Sequence, residues 1–370
     1  MAVTRFEYLF GFTFLLVCLL FSFQGANAQE IGGNGIWMSK AELNKLPVTG
    51  ASWNSLVSYA KSNTNDPNLS NQDDETDTNT IAKALVYART GNTTYANEVL
   101  YTLQRVVELN PISSSLEWNE LGASRSIGSY AIAADLIDLK NYAPSFDKNQ
   151  FRAWLDKARF ADTEGGRGSI AAVHEKRPNN HGTHASASRI AAALYLGDKA
   201  DLDRAIQVFK GWLGNRSSYS GFKYGDLSWQ VNQEKPVGIN PKGSQINGYN
   251  VDGVLPDDQR RGGSFSWPPP QENYVYEGLQ GVVVSAEMLY RAGYPAFEWS
   301  DKAILRAVQW LHNTTFSDGK NYPAEGDDIW QIYIINKRYG TKFPTGSSST
   351  TSPGKMIGYT DWTHSPTPGC

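Results

Sequence analysis

Residues 190–213 read Ile-Ala-Ala-Ala-Leu-Tyr-Leu-Gly-Asp-Lys-Ala-Asp-Leu-Asp-Arg-Ala-Ile-Gln-Val-Phe-Lys-Gly-Trp-Leu. Ile190 to Leu196 is Ala-rich and Leu202 to Leu213 has late aromatic and Leu anchors, and both are apolar at three- and four-residue spacing. That period is helical, and Gly197-Asp198 between the two runs supplies a left-handed cap and a turn. The arrangement recurs. Ile81 to Arg89 and Ala96 to Leu109 flank Thr90-Gly91-Asn92-Thr93, and Val282 to Arg291 and Lys302 to Leu311 flank Gly293-Tyr294-Pro295. Arg125 to Leu139 followed by Lys148 to Arg159 is a looser copy. Repeated helical hairpins predict an all-α fold, an (α/α) toroid in which inner and outer helices surround a cavity. Ile329 to Ile335 carries β-branched residues, but its surroundings favour a helix.

Two stretches break the pattern. Ser217 to Pro270 is rich in Gly, Asn, Asp, Pro and aromatics, and a loop this long in a compact domain is usually functional or disordered. Trp229, Tyr249 and Trp267 within it argue for packing or ligand contact. Thr345 to Gly354 reads as a linker. The expected organisation is a signal peptide at 1–28, one toroid domain at 29–364 and a loose tail at 365–370.

Composition narrows the function. The 370 residues hold 34 Lys+Arg against 37 Asp+Glu, a net charge of −3, which argues against nucleic-acid binding by bulk charge. The 11 Trp and 19 Tyr, with only 19% charged residues, suit several roles including stacking on sugar rings. Arg5, the apolar run Tyr8 to Phe23 and the small-x-small site Ala26-Asn27-Ala28 read as a secretory signal, with Gln29 opening the mature chain. The expectation is a secreted protein, extracellular or periplasmic, with no membrane segment in its mature form. Cys18 leaves with the signal and Cys370 is the last residue, so neither an internal disulfide nor a multi-Cys zinc site is expected. Sequons at Asn68, Asn92, Asn215 and Asn313 mark expected surface positions.

Three segments carry candidate chemistry. Arg177-Pro178-Asn179-Asn180-His181-Gly182-Thr183-His184 holds two of the five histidines just where a helix should begin, at about Thr183. Pro178 stops the preceding structure, an Asn can cap, and free N–H groups there favour a carboxylate ligand. The plainer reading is an Asn cap with a satisfied histidine. Leu255-Pro256-Asp257-Asp258-Gln259-Arg260-Arg261-Gly262-Gly263 leads through Trp267-Pro268-Pro269-Pro270 to Asn273-Tyr274-Val275-Tyr276-Glu277. The arginine pair can grip an anion, and neighbouring arginines favour a phenolate able to act as a base. The plainer reading pairs Asp257 and Asp258 with the arginines in a solvated turn. In the third segment, Arg125 opens an apolar helix and needs a groove or a carboxylate, with Glu117 or Glu120 as expected partner.

Asn, His, Arg and Tyr without an obvious carboxylate pair suit β-elimination on a uronic acid. The C5 proton is weakly acidic while the C6 carboxylate is charged, so that carboxylate must be neutralised. A base then takes the proton and an acid protonates the departing O4. One Tyr serves both roles when proton and leaving group lie on the same side. This logic requires no cofactor and no metal.

Asn179-Asn180-His181-Gly182-Thr183 resembles the Asn-Asn-His motif of the alginate-lyase-like polysaccharide lyases. Leu255-Pro256, Arg260-Arg261 and Asn273-Tyr274 are similar to their Leu-Pro, Arg-rich and Asn-Tyr succession, and Arg125 to Leu139 is similar to a helix of the same group. The likeness spans about residues 35 to 364. It implies an (α/α) toroid, an incomplete barrel with long irregular loops over a central cleft, that cleaves 1,4-linked polyuronates. The branch holding glucuronan lyases and mannuronate-directed alginate lyases is the most similar. By this resemblance Asn180 and His181 neutralise the carboxylate, Arg261 or Arg260 supports them and lowers the Tyr pKa, and Tyr274 is base and acid. His184 is an alternative neutraliser or base, and Tyr276 an alternative to Tyr274. Arg125, Arg177, Arg260, Trp267, Tyr276 and Tyr249 are expected to bind substrate. The partner expected is an acidic polysaccharide met by a monomer. Two rivals stand beside this. One is a glycoside hydrolase with two carboxylates about 5 to 9.5 Å apart, drawn from Asp257, Asp258, Glu277, Glu325, Asp327 and Asp328. The other is a carbohydrate-binding protein using Trp229, Trp267 and Trp330.

Overall fold

A computed structural model describes residues 35–346 and 355–365. The expected signal peptide, most of the linker, both cysteines and the last five residues lie outside the described residues. The long helices are α1 (Ala51–Ala60), α2 (Thr76–Thr90), α3 (Thr93–Leu109), α4 (Glu120–Leu136), α5 (Arg152–Ala158) and α6 (Ile170–Lys176). They continue as α7 (Asn180–Leu196), α8 (Lys199–Trp212), α9 (Tyr274–Arg291), α10 (Trp299–Asn313) and α11 (Ile329–Tyr339), and the short α12 (Thr360–Thr363) follows. Gly91 and Gly197 end α2 and α7 with positive φ, as their place between paired helices predicts. Asn92 and Asp198 then cap α3 and α8 by accepting from backbone N–H groups of the first turn.

The helices form two layers. The inner layer is a closed ring in which α1 touches α2, α2 touches α4, α4 touches α7, α7 touches α9, and α9 touches α11. α12 completes the circuit between α11 and α1. The helices α3, α5, α8 and α10 lie outside against this ring. This is the expected (α/α) toroid, with the gap of the expected incomplete barrel bridged by the short α12. The layers differ in sequence for a physical reason. Every residue of α4 is buried, so no polar face remains. The outer α3 buries only a stripe at Ala96, Val99, Thr102, Leu103 and Val106 and leaves the opposite face to water.

α12 is locked in place by hydrogen bonds. Thr360 Oγ1 donates to Trp330 O at 2.6 Å, Trp362 Nε1 donates to Pro47 O at 2.9 Å, and the Trp362 ring meets Trp53 at 5.2 Å. Below it His364 and Arg338 flank the buried Glu287, which they hold at a pKa of about 2 against its burial.

The segment between α8 and α9 is irregular but well anchored. It contains one small hairpin, Gln245–Ile246 paired with Tyr249–Asn250, and a short helical turn at Pro256–Gln259. Trp229 is fully buried and donates to Gly263 O at 2.9 Å, while Asn240 ties back to Trp229 O at 2.9 Å. Ile329 to Ile335 is helical as expected. All four sequon asparagines are exposed. Among the described residues no helix is long and apolar enough to cross a membrane.

Candidate active site

The first wall of the site is the turn from α6 into α7. Pro178 ends α6, Asn179 takes extended backbone angles, and α7 begins at Asn180, three residues earlier than the sequence suggested. Asn179 occupies the cap position, but its side chain makes no capping bond. The first turn of α7 instead finds its acceptor in the segment before the neighbouring α9, where Asn180 N–H donates to Asp258 Oδ1 at 2.9 Å. Gly182 is required here. A Cβ on it would lie 1.8 Å from Arg177 O, so any other residue would push the turn away from the end of α6.

His181 is the histidine that reaches the surface of this wall. Its Nδ1 lies 2.8 Å from Glu120 Oε2, and Arg177 Nη1 is 3.6 Å from the same oxygen. Glu120 sits in the first turn of α4 and is buried. With Nδ1 donating to this carboxylate, Nε2 is left to face outward. Asn180 is fully enclosed, and neither its amide nitrogen nor its amide oxygen has a hydrogen-bond partner. Such a pair of unsatisfied buried groups costs free energy that a ligand would return.

His184 does not share this position. It lies one turn deeper, without exposed surface, and Nε2 meets Gln280 Oε1 at 3.2 Å. Burial first, and the charge of Arg125 second, hold its pKa well below the usual histidine value, so it is a neutral packing group. The expectation that it might stand in for His181 is corrected on that ground. Gln280 passes the network on to the buried Asp328 at 2.8 Å.

The second wall is the arm leading into α9. Arg260 turns back onto Asp257 through Nε at 2.7 Å. Arg261 instead lies over the Tyr274 ring, with its guanidinium carbon 3.4 Å from the ring centre. Such a contact couples the fixed cation to the aromatic face. Tyr274 is the first residue of α9 and is 36% exposed. Tyr276 is a different case. It is buried, its hydroxyl donates to Tyr322 O at 2.7 Å, and burial pushes its pKa far up. It is a core residue, not a substitute for Tyr274 and not a substrate contact.

The walls are stitched together at three places. Asp258 of the arm accepts from Asn180 of α7. Gly281 of α9 crosses α7 so closely that a Cβ there would lie 2.2 Å from the Thr183 backbone. Arg125 of α4 pairs with Glu277 of α9 at 2.5 Å. Arg125 is therefore a buried tie, and its partner is neither Glu117 nor Glu120. Asp258 is enclosed, and burial followed by the neighbouring Asp257 holds its pKa well above the usual carboxylate range.

The aromatic expectations divide. Tyr249 and Trp267 stack on each other at 4.8 Å with 14° between their planes, and Tyr249 is exposed. Trp229 and Trp330 are fully buried, so neither is a sugar platform. Sequence reasoning did not find Glu120 as the partner of His181, nor Glu277 and Asp258 as ties. A signal for Glu120 exists, since it is one of only three charged residues on that helix, with Arg125 and Asp135. Among the described residues no cluster of three or more His, Cys, Asp or Glu side chains has the geometry to hold a metal ion.

Comparison with known proteins agrees with this arrangement in part. A family model described as alginate lyase matches residues 54–217, which include α4 and the Asn-Asn-His turn but stop before the second wall. No curated protein matches the chain significantly. Among solved structures, alginate lyase A1-III from Sphingomonas species A1 is similar at 15% identity and TM-score 0.49, over 78% of this chain and 74% of that one. A variant of A1-III bound to a tetrasaccharide aligns at 15% identity and TM-score 0.46 over the same shares. An alginate lyase from Bacteroides ovatus aligns at 14% identity and TM-score 0.40, over 70% of this chain and 64% of that one. The likeness to an alginate lyase at the level of sequence therefore rests on residues 54–217, under half of the chain.

Proposed function

We propose that this protein cleaves a 1,4-linked polyuronate, alginate or glucuronan, by β-elimination, leaving a 4,5-unsaturated uronate end. The observation that carries the reading is the presence of two unlike groups on neighbouring segments that the Asn180–Asp258 bond ties together. His181 is held by Glu120 on one wall, and Tyr274 lies under the Arg261 guanidinium on the other. In this role His181 carries a proton on each ring nitrogen, one for Glu120 and one for the C6 carboxylate, and with Asn180 it reduces the cost of the enolate-like charge that follows proton loss. Tyr274 removes the C5 proton and returns a proton to O4, with Arg261 keeping a positive charge against the ring.

The alginate-lyase match supports the substrate class. The opening 28 residues, by their charge, apolar run and cleavage pattern, support export. The test is ultraviolet absorbance of the conjugated product during digestion of polymannuronate, mixed alginate and glucuronan. A rise with at least one polymer is expected. New reducing ends without absorbance would mean hydrolysis and would overturn the reading.

A further inference from the structure

Beside the Asn-Asn-His turn the molecule opens into a cavity of about 510 Å³. Asn179, Arg167, Lys176, Arg177, Lys223 and Arg260 line it, together with Asp257. The charges do not balance. Arg260 is held by Asp257 through two nitrogens, at 2.7 and 3.3 Å. Arg177 faces Glu120 at 3.6 Å. Arg167, Lys176 and Lys223 have no carboxylate within ion-pair distance among the described residues, and all three are exposed. The Lys223 backbone N–H donates to the Lys176 backbone O at 2.8 Å, which sets the two residues side by side on the rim of the cavity. A concave surface with three uncompensated cations focuses an attractive field on an anion.

The cavity also touches both walls of the candidate active site. Asn179 precedes Asn180, Arg177 shares the Glu120 carboxylate with His181, and Arg260 precedes the Arg261 that covers Tyr274. A polymer carrying one carboxylate per sugar cannot present one uronate to His181 without placing its neighbours nearby.

We infer that this cavity is a further carboxylate subsite, in which Lys176, Lys223 and Arg167 hold a uronate beyond the two that flank the cleaved bond. The inference rests on the polyuronate reading and extends it to the chain length the enzyme grips. The subsite raises affinity for longer oligomers and leaves the proton transfer itself to the adjoining walls.

The experiment compares wild type with a Lys176→Met/Lys223→Met variant on oligouronates of increasing length. KM is expected to rise about tenfold on the longer oligomers, the scale of losing charge-assisted bonds. The shortest oligomer cleaved should show little change in KM, and Lys176→Arg/Lys223→Arg should restore the length effect. Equal KM for wild type and the Met variant at every length overturns the subsite, while the lyase reading stands. Calorimetry of a tetrauronate and of its carboxyl-reduced counterpart separates the two conclusions. If no polyuronate is cleaved, tetrauronate binding that weakens about tenfold in the Met variant keeps the subsite and removes the lyase reading. Equal binding of the charged and reduced sugars overturns the subsite whatever the activity.

Discussion

On α7 the groups that face the cleft are packed from below and behind. Asn180 is enclosed, His181 is propped by the buried Glu120, and a glycine is needed at 182 for the turn to exist. On the arm that leads into α9, by contrast, Arg261 and Tyr274 are both exposed, and what positions them is chiefly each other. One wall is set by the core and the other by a surface contact. Preorganised dipoles belong on a wall that does not move, because their value lies in needing no reorganisation. A group that gives and takes a proton needs access to two positions on the substrate, which an exposed side chain has.

That contrast orders the expected effects of substitution. Tyr274→Phe removes the proton carrier and leaves the ring for Arg261, so activity should fall by about 10²–10⁴ with an unchanged circular dichroism spectrum. Full activity in this variant would remove Tyr274 from the chemistry. His181→Ala strips one neutralising group from the rigid wall, and kcat should drop about 10²-fold. Glu120→Gln tests whether that wall is truly supported from beneath. A loss of about tenfold is expected, at the lower end of what outer-shell partners contribute. The loss should vanish when measured in the His181→Ala background, since a prop matters only while there is something to prop.

Asp258→Asn probes the stitch between the walls, and its effect on kcat/KM should be the smallest. Its signature is in stability. The folded-state pKa of Asp258 lies above the ordinary 3.8, so the folded protein holds a proton there that the unfolded chain releases. The stabilisation from that proton is present below 3.8 and is lost as pH rises above it. Thermal melts should therefore show Asp258→Asn gaining on wild type as pH is raised from 4 toward 8. Parallel curves would mean that the carboxyl is ionised in the fold.

The hairpins were legible because each break carries its own chemistry, a left-handed glycine at 91 or 197 followed by a capping Asn92 or Asp198. The closure of the ring was not, since α12 is four residues long and finds its partners more than 300 positions away at Pro47 and Trp53. Within the site, the Asn-Asn-His turn announced itself by composition. The ties did not, as Arg125 and Glu277 are 152 residues apart and His181 and Glu120 are 61 apart. The difference between Tyr274 and Tyr276 was legible and went unused. In the first turns of α9 Val275, Tyr276 and Leu279 are on the buried side, and Tyr274 lies off it.

The ring's last stave also sets a clock. Because α12 slots between α11 and α1, helix α1 waits for a partner made some 300 residues later in the same chain. Domains assemble as their parts leave the ribosome. The cleft walls can therefore gather during synthesis, but the circle itself snaps shut only at the end. A nascent chain stalled before Thr360 would carry an unsealed seam beside Trp53, and that seam is where holding chaperones would be expected to attach.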